Sequence, residues 1–149
     1  MKKSVRLASV VKIAESEEQK AIQAFGYCQQ QLEVHKGRLR QLTEYRNEYQ
    51  TQFDQRAGNG ISVAQMQSYR AFISQLDLGI EEQNRVIGST TLELEAKRRE
   101  WFSKRTKTKA IDKVIEQHVT KEQAQESKRD QKECDERSHT RHCGQIMLE

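Results

Sequence analysis

The sequence predicts an all-α fold, a long antiparallel two-helix coiled-coil hairpin. Three observations predict it. Proline is absent from the 149 residues, and the good helix formers Ala, Glu, Lys, Leu, Arg and Gln supply 80 of them. Apolar residues recur with a period of seven in two long stretches. Between those stretches stands one strong helix breaker, Ala57-Gly58-Asn59-Gly60. Hydrophobic residues make up 34% of the chain, which excludes a large single core and a β-sandwich. The net charge of +4 is too small for self-repulsion to force disorder. Residues 1–149 read as a single coiled-coil domain.

The first helix spans about residues 5–57. Steps of four and three from Leu7 lead through Val11, Ala14, Glu18, Ala21 and Phe25, and on in phase to Phe53. Eleven of these fourteen positions are apolar. A stripe with a 3.5-residue period implies a left-handed supercoil against a partner helix. Glu18, His35 and Arg46 interrupt the stripe and read as packing or register residues, set there at a cost in stability.

The turn occupies residues 58–61, where Gly and Asn accept the left-handed backbone that ends a helix. Ser62 with Gln65 three residues later forms a capping box, and Ile61 with Met66 a hydrophobic staple. So short a connection makes the neighbours antiparallel. The second helix spans about residues 62–125. Its stripe runs from Met66 to His118 with ten of sixteen positions apolar, and its failures cluster beyond Leu94. From Thr120 to Gln145 the only apolar residues are Ala124, Cys134 and Cys143. Residues 126–149 therefore read as a polar tail, frayed or disordered.

The apolar run Leu7–Val11 is ended by Lys12 and is too short for a secretory core. No stretch approaches the roughly 20 apolar residues of a membrane helix. Three cysteines, an odd number without framework spacing, read as free thiols in a cytoplasmic protein.

Four features bear on function. Tyr45 and Phe72 lie off the stripes. Folding the hairpin near Asn59 brings them to one level, where they either broaden the seam or form a partner-binding patch. Eight basic residues lie between Glu95 and Lys113, with Trp101 and Phe102 among them. They form a solvated face with Glu100 and Lys104 paired, or a footprint for an acidic protein or nucleic acid. No known nucleic-acid-binding motif accompanies them. Cys134, His139, His142 and Cys143 are metal-ligand types. Their spacing matches no common zinc knuckle, and adjacent His142 and Cys143 do not easily reach one ion. No phosphate loop or nucleophile elbow occurs, and a two-helix seam offers no concave pocket. The reading is a non-enzyme with no metal and no cofactor. A coiled-coil homodimer serving as a scaffold or nucleic-acid-binding protein is the competing class.

One segment is more specific than composition. Leu42-Thr43-Glu44-Tyr45-Arg46-Asn47-Glu48-Tyr49 followed by Gly58-Asn59-Gly60-Ile61, and Tyr69-Arg70-Ala71-Phe72-Ile73-Ser74-Gln75-Leu76 with Ile80-Glu81, resemble the bacterial flagellar export family FliJ. The likeness covers residues 5–135 and is strongest from Leu39 to Gln83. It implies a cytoplasmic part of the flagellar type III export apparatus, peripheral at the basal body on the inner face of the cell membrane. It also implies a coiled coil similar to the central stalk of rotary ATPases. The implied partners are the hexameric export ATPase, which receives the end carrying both chain ends, the export gate membrane protein, and export chaperones. The family's gate-binding surface corresponds here to Leu42, Tyr45, Tyr49, Phe72 and Leu76. Arg38, Gly79 and Gln83 depart from the family pattern. The basic residues Arg98, Arg99, Lys104, Arg105 and Lys107 are then expected to face the ATPase.

Overall fold

The structure, a computed structural model, describes residues 2–146. It consists of two helices, α1 (Lys3–Asn59) and α2 (Val63–Ile146). Among the described residues there is no strand, and no helix is long and apolar enough to cross a membrane.

The turn follows the sequence closely. Helix α1 runs two residues past its expected end, and the amide of Gly60 bonds back to the Ala57 carbonyl at 3.3 Å. Gly60 takes φ +89°, a left-handed conformation open to glycine at no steric cost. The capping box forms in both directions. The Gln65 amide donates to Ser62 Oγ at 3.1 Å, and the Ser62 amide donates to Gln65 Oε1 at 3.4 Å. Two otherwise orphaned amides at the start of α2 are satisfied.

The packing between helices divides into two compact units. One unit is Lys20–Phe102, which contains the turn. The other joins α1 up to Gln19 with α2 from Ser103 onward. All fourteen stripe positions of α1 and all sixteen of α2 are buried or half-buried. In the turn unit Ala21, Cys28, Leu32, Ile73 and Leu76 form the core. Cys28 stands opposite Thr90, His35 opposite Gln83, Arg46 opposite Asp77 and Tyr49 opposite Phe72. The α1 number rises as the α2 number falls, so the pair is antiparallel. In the terminal unit Ala14 and Thr108 are buried. The Thr108 hydroxyl is satisfied by its own helix, donating to the Lys104 carbonyl at 3.0 Å.

Polar side chains on the seam find partners across it. The Gln83 amide donates to the His35 carbonyl at 3.0 Å and lies 3.3 Å from His35 Nδ1. The Arg46 guanidinium meets Asp77 at 2.8 Å. Among the described residues no buried polar side-chain atom lacks a partner, and no large side chain is fully buried. A two-helix seam covers one stripe per helix, so the stability gained per residue is modest.

Helix α2 continues through Ile146, whereas the sequence suggests fraying or disorder from residue 126. Every residue from 123 to 146 is exposed. The loss of an apolar stripe marks the loss of a partner, not of helicity. The segment is rich in Glu, Lys, Arg and Gln, whose propensity supports a helix without tertiary contacts. The rest of the expected tail, 147–149, lies outside the described residues.

Candidate functional site

The richest chemistry in the turn unit is aromatic. Heptad spacing puts Tyr49 and Phe53 on the α1 stripe and Tyr69 on the α2 stripe. Tyr45 and Phe72 lie beside the stripes on the same flank of the pair. Five rings meet in consequence. Phe72 lies 4.4 Å from Tyr49 and 6.0 Å from Tyr45 between centroids, the latter edge to face at 81°. Tyr45 and Tyr49 are 5.4 Å apart, Tyr49 and Tyr69 5.7 Å, and Phe53 and Tyr69 5.8 Å. The Arg56 guanidinium sits 5.8 Å over the Tyr69 ring, within cation–π reach. The tilted and edge-to-face geometries are those that ring quadrupoles favour.

The cluster is not sealed. Tyr45 is 45% exposed, and Tyr49, Phe53, Tyr69 and Phe72 are half-buried. Two shallow grooves border it. Tyr49, Gln65, Ser68, Tyr69 and Phe72 line one, and Arg38, Gln41, Leu42, Tyr45 and Gln83 line the other. Apolar ring faces with phenol hydroxyls at the rim suit a protein partner. Aromatic anchors of this kind dominate interface energetics.

The residues expected to form a gate-binding surface are therefore placed together, with one distinction. Leu42, Tyr45, Tyr49 and Phe72 reach the surface, whereas Leu76 is only 9% exposed and supports the patch from the seam. Phe53, Tyr69 and Arg56 join the cluster beyond the expected surface residues. The signal was present, because the same level-matching that pairs Tyr45 with Phe72 sets Tyr49 level with Tyr69. Of the departures from the family pattern, Gln83 is tied to His35 across the seam, and a Cβ on Gly79 would meet nothing within 4 Å.

The basic residues are distributed differently from one another. In the turn unit Arg98 lies 3.8 Å from Glu95, and Arg99 is exposed. In the terminal unit Lys104 reaches across the seam to Glu17 at 3.2 Å, where the spacing suggests Glu100. Arg105 and Lys107 are exposed. Near the chain start the Lys2 ammonium pairs with Glu126. That hydrogen bond and charge raise the Lys2 pKa. The Ser4 hydroxyl and amide both donate to Glu122, at 2.6 and 3.4 Å. The hydroxyl bond, more than any other contact, holds the Glu122 carboxyl below the usual carboxylate range.

Cys28 is buried, and its thiol lies 3.9 Å from the Thr90 carbonyl. Burial, reinforced by the charge of Glu93, pushes the thiol pKa up. It is therefore an inert packing group rather than a nucleophile. Cys134 and Cys143 are free and exposed. The Cys143 sulfur lies 3.9 Å from His139 Nε2. Among the described residues no group of three or more His, Cys, Asp or Glu is arranged to hold a metal ion.

The family model for the flagellar FliJ protein matches residues 1–145. The flagellar FliJ protein of Salmonella typhi is 25% identical over 130 residues, covering 87% of this chain and 88% of that protein. The flagellar FliJ protein of Escherichia coli K12 is likewise 25% identical over 130 residues, with the same coverage. No solved structure matches the chain.

Proposed function

Because the chain belongs to the FliJ family and is thus a flagellar export-related protein, we propose that it is a stalk-like, non-enzymatic link between the export ATPase ring and the export gate. In this reading it works in the cytoplasm at the basal body, peripheral to the inner face of the cell membrane through protein partners only, and assists export chaperones. The observation that carries the reading is the five-ring cluster of the turn unit, built across both helices and left partly open. It is a preformed aromatic surface shared by both helices, whereas exposed apolar residues such as Leu78 and Leu92 stand on one helix alone. Leu42, Tyr45, Tyr49 and Phe72 make the gate contact, with Leu76 beneath them. The ATPase is met by basic residues of α2, Arg98, Arg99, Lys104, Arg105 and Lys107.

The test is a binding titration of the purified chain against the cytoplasmic part of its own organism's export gate protein. Tyr45→Ala with Phe72→Ala should abolish binding while the helical circular dichroism stays that of the wild type. Undiminished binding by the folded double variant would remove the cluster from the gate contact.

A further inference from the structure

The open side of the turn unit does not end at the aromatic cluster. A third groove lies further from the turn, walled by Ala24, Cys28 and Gln31 of α1 and by Thr90, Glu93 and Lys97 of α2. Its floor is made of small side chains, since Cys28 and Thr90 are the buried residues there. Heptad spacing shows that this groove shares a flank with the two grooves beside the rings. On α1, Ala24, Gln31, Arg38 and Tyr45 recur every seven residues. On α2, Phe72, Gly79, Val86 and Glu93 do the same. Residues at that interval keep one side of a supercoiled pair.

The two flanks differ in chemistry. The opposite flank of α2 reads Arg70, Asp77, Asn84, Thr91 and Arg98, and its Asp77 is held by Arg46. The grooved flank carries Phe72, Gly79 and Val86 nearer the turn and the acids Glu93 and Glu100 beyond them. Beside the third groove Tyr27 is 65% exposed and Val34 46%. These two are seven residues apart and so repeat in step with the flank.

From this we infer that the three grooves form one trough, and that it takes a single α-helix of the export gate protein's cytoplasmic part. The inference rests on the gate reading above and extends the contact well past the rings. From Phe72 to Lys97 the trough follows about 40 Å of α2 at the helical rise. The occupant is identified by period. Wall positions that recur every seven residues on both helices suit side chains that recur every seven residues, which a helix lying lengthwise supplies. Small floor residues at Cys28 and Thr90, and the missing side chain at Gly79, leave room for its knobs. Arg38 calls for an acid on that helix at the middle of the trough, and Glu93 for a base toward its far end.

The experiment titrates four forms of the full chain against the purified cytoplasmic part of the gate protein, with helicity checked for each. Tyr27→Glu with Gln31→Glu places charge in the third groove, 18 and 14 residues of chain from Tyr45. It should weaken binding at least about tenfold, the loss of one strong interface contact. Asn84→Glu with Thr91→Glu places the same charge on the other flank and should leave binding within about twofold. Tyr45→Ala with Phe72→Ala reports on the rings. Loss with the ring pair but wild-type binding by Tyr27→Glu/Gln31→Glu would overturn the trough and leave the gate reading standing. Equal losses from the two glutamate pairs would also overturn it, as a general charge effect. No binding by the wild-type chain would remove both readings.

Discussion

The Phe72 ring of α2 lies 4.4 Å from the Tyr49 ring of α1, tilted at 40°. This contact joins the two helices and is also part of the open aromatic surface. Phe72 therefore belongs both to the packing between the helices and to the open surface, while its neighbour Tyr45, 45% exposed, lies further toward solvent.

The two roles separate under substitution. A fully buried Phe→Ala change costs about 3–5 kcal/mol. Phe72 is half-buried, so Phe72→Ala should cost about 2 kcal/mol. Tyr45→Ala removes two ring contacts from a side chain that is 45% exposed and should cost about 1 kcal/mol. Urea unfolding of the single variants measures both, and equal costs would contradict the division.

Two glycines should respond in opposite directions. A Cβ on Gly79 meets nothing within 4 Å and the residue is inside a helix, so Gly79→Ala should stabilise by about 1 kcal/mol. Gly60 holds φ +89°, so Gly60→Ala should destabilise by about 1–2 kcal/mol. Thermal unfolding gives the sign of each. A stabilising Gly60→Ala would show that the left-handed turn is dispensable.

The start of α1 should loosen in acid. Ser4 holds the Glu122 carboxyl below its ordinary range, so the ionised carboxylate is favoured in the folded chain. Its contribution is fully present above the ordinary carboxylate range and is lost as pH falls through the lowered folded value. Lys2, raised by Glu126, works in the other sense. Its contribution is present below the ordinary lysine range and is lost as pH rises through the raised value. The Ser4 amide resonance followed by NMR should titrate below the ordinary glutamate range, and Glu122→Gln should flatten that titration. A midpoint at the ordinary value would show that the contact is not made in solution.

Association with the ATPase should depend steeply on salt. Arg98, Arg99, Arg105 and Lys107 are exposed, and exposed charges steer encounter more than they add affinity. Lys104 is occupied by Glu17 and should contribute least. Stopped-flow association should slow several-fold from low to physiological salt, more weakly in Arg99→Ala/Lys107→Ala. A rate unaffected by salt would leave the basic residues without this role.

The seam was legible because a heptad stripe has one physical meaning, burial against another helix. Every position from Leu7 to Phe53 and from Met66 to His118 takes its expected side. The turn was legible because Gly60 and Ser62 each have a specific backbone task. The partners of polar seam residues were not legible. Spacing shows that His35 and Arg46 face the seam, but which groups they meet there, Gln83 and Asp77, depends on register and side-chain reach. The end of α2 is ambiguous in the sequence for a related reason. Hydropathy reports whether a helix has a partner, and an exposed helix from 123 to 146 has the same hydropathy as a disordered tail. At the site, Tyr45 and Phe72 could be matched by level, whereas the burial of Leu76 needed the packing itself.

In the proposed function this chain holds the ATPase and the gate at the same time. Size exclusion with light scattering on the chain, its own organism's export ATPase with nucleotide, and the cytoplasmic part of the gate tests it directly. One species containing all three is expected, with one copy of the chain per ATPase hexamer, from which Tyr45→Ala/Phe72→Ala loses only the gate. Displacement of the gate by the ATPase, or a chain that runs as a dimer and binds neither, would contradict it.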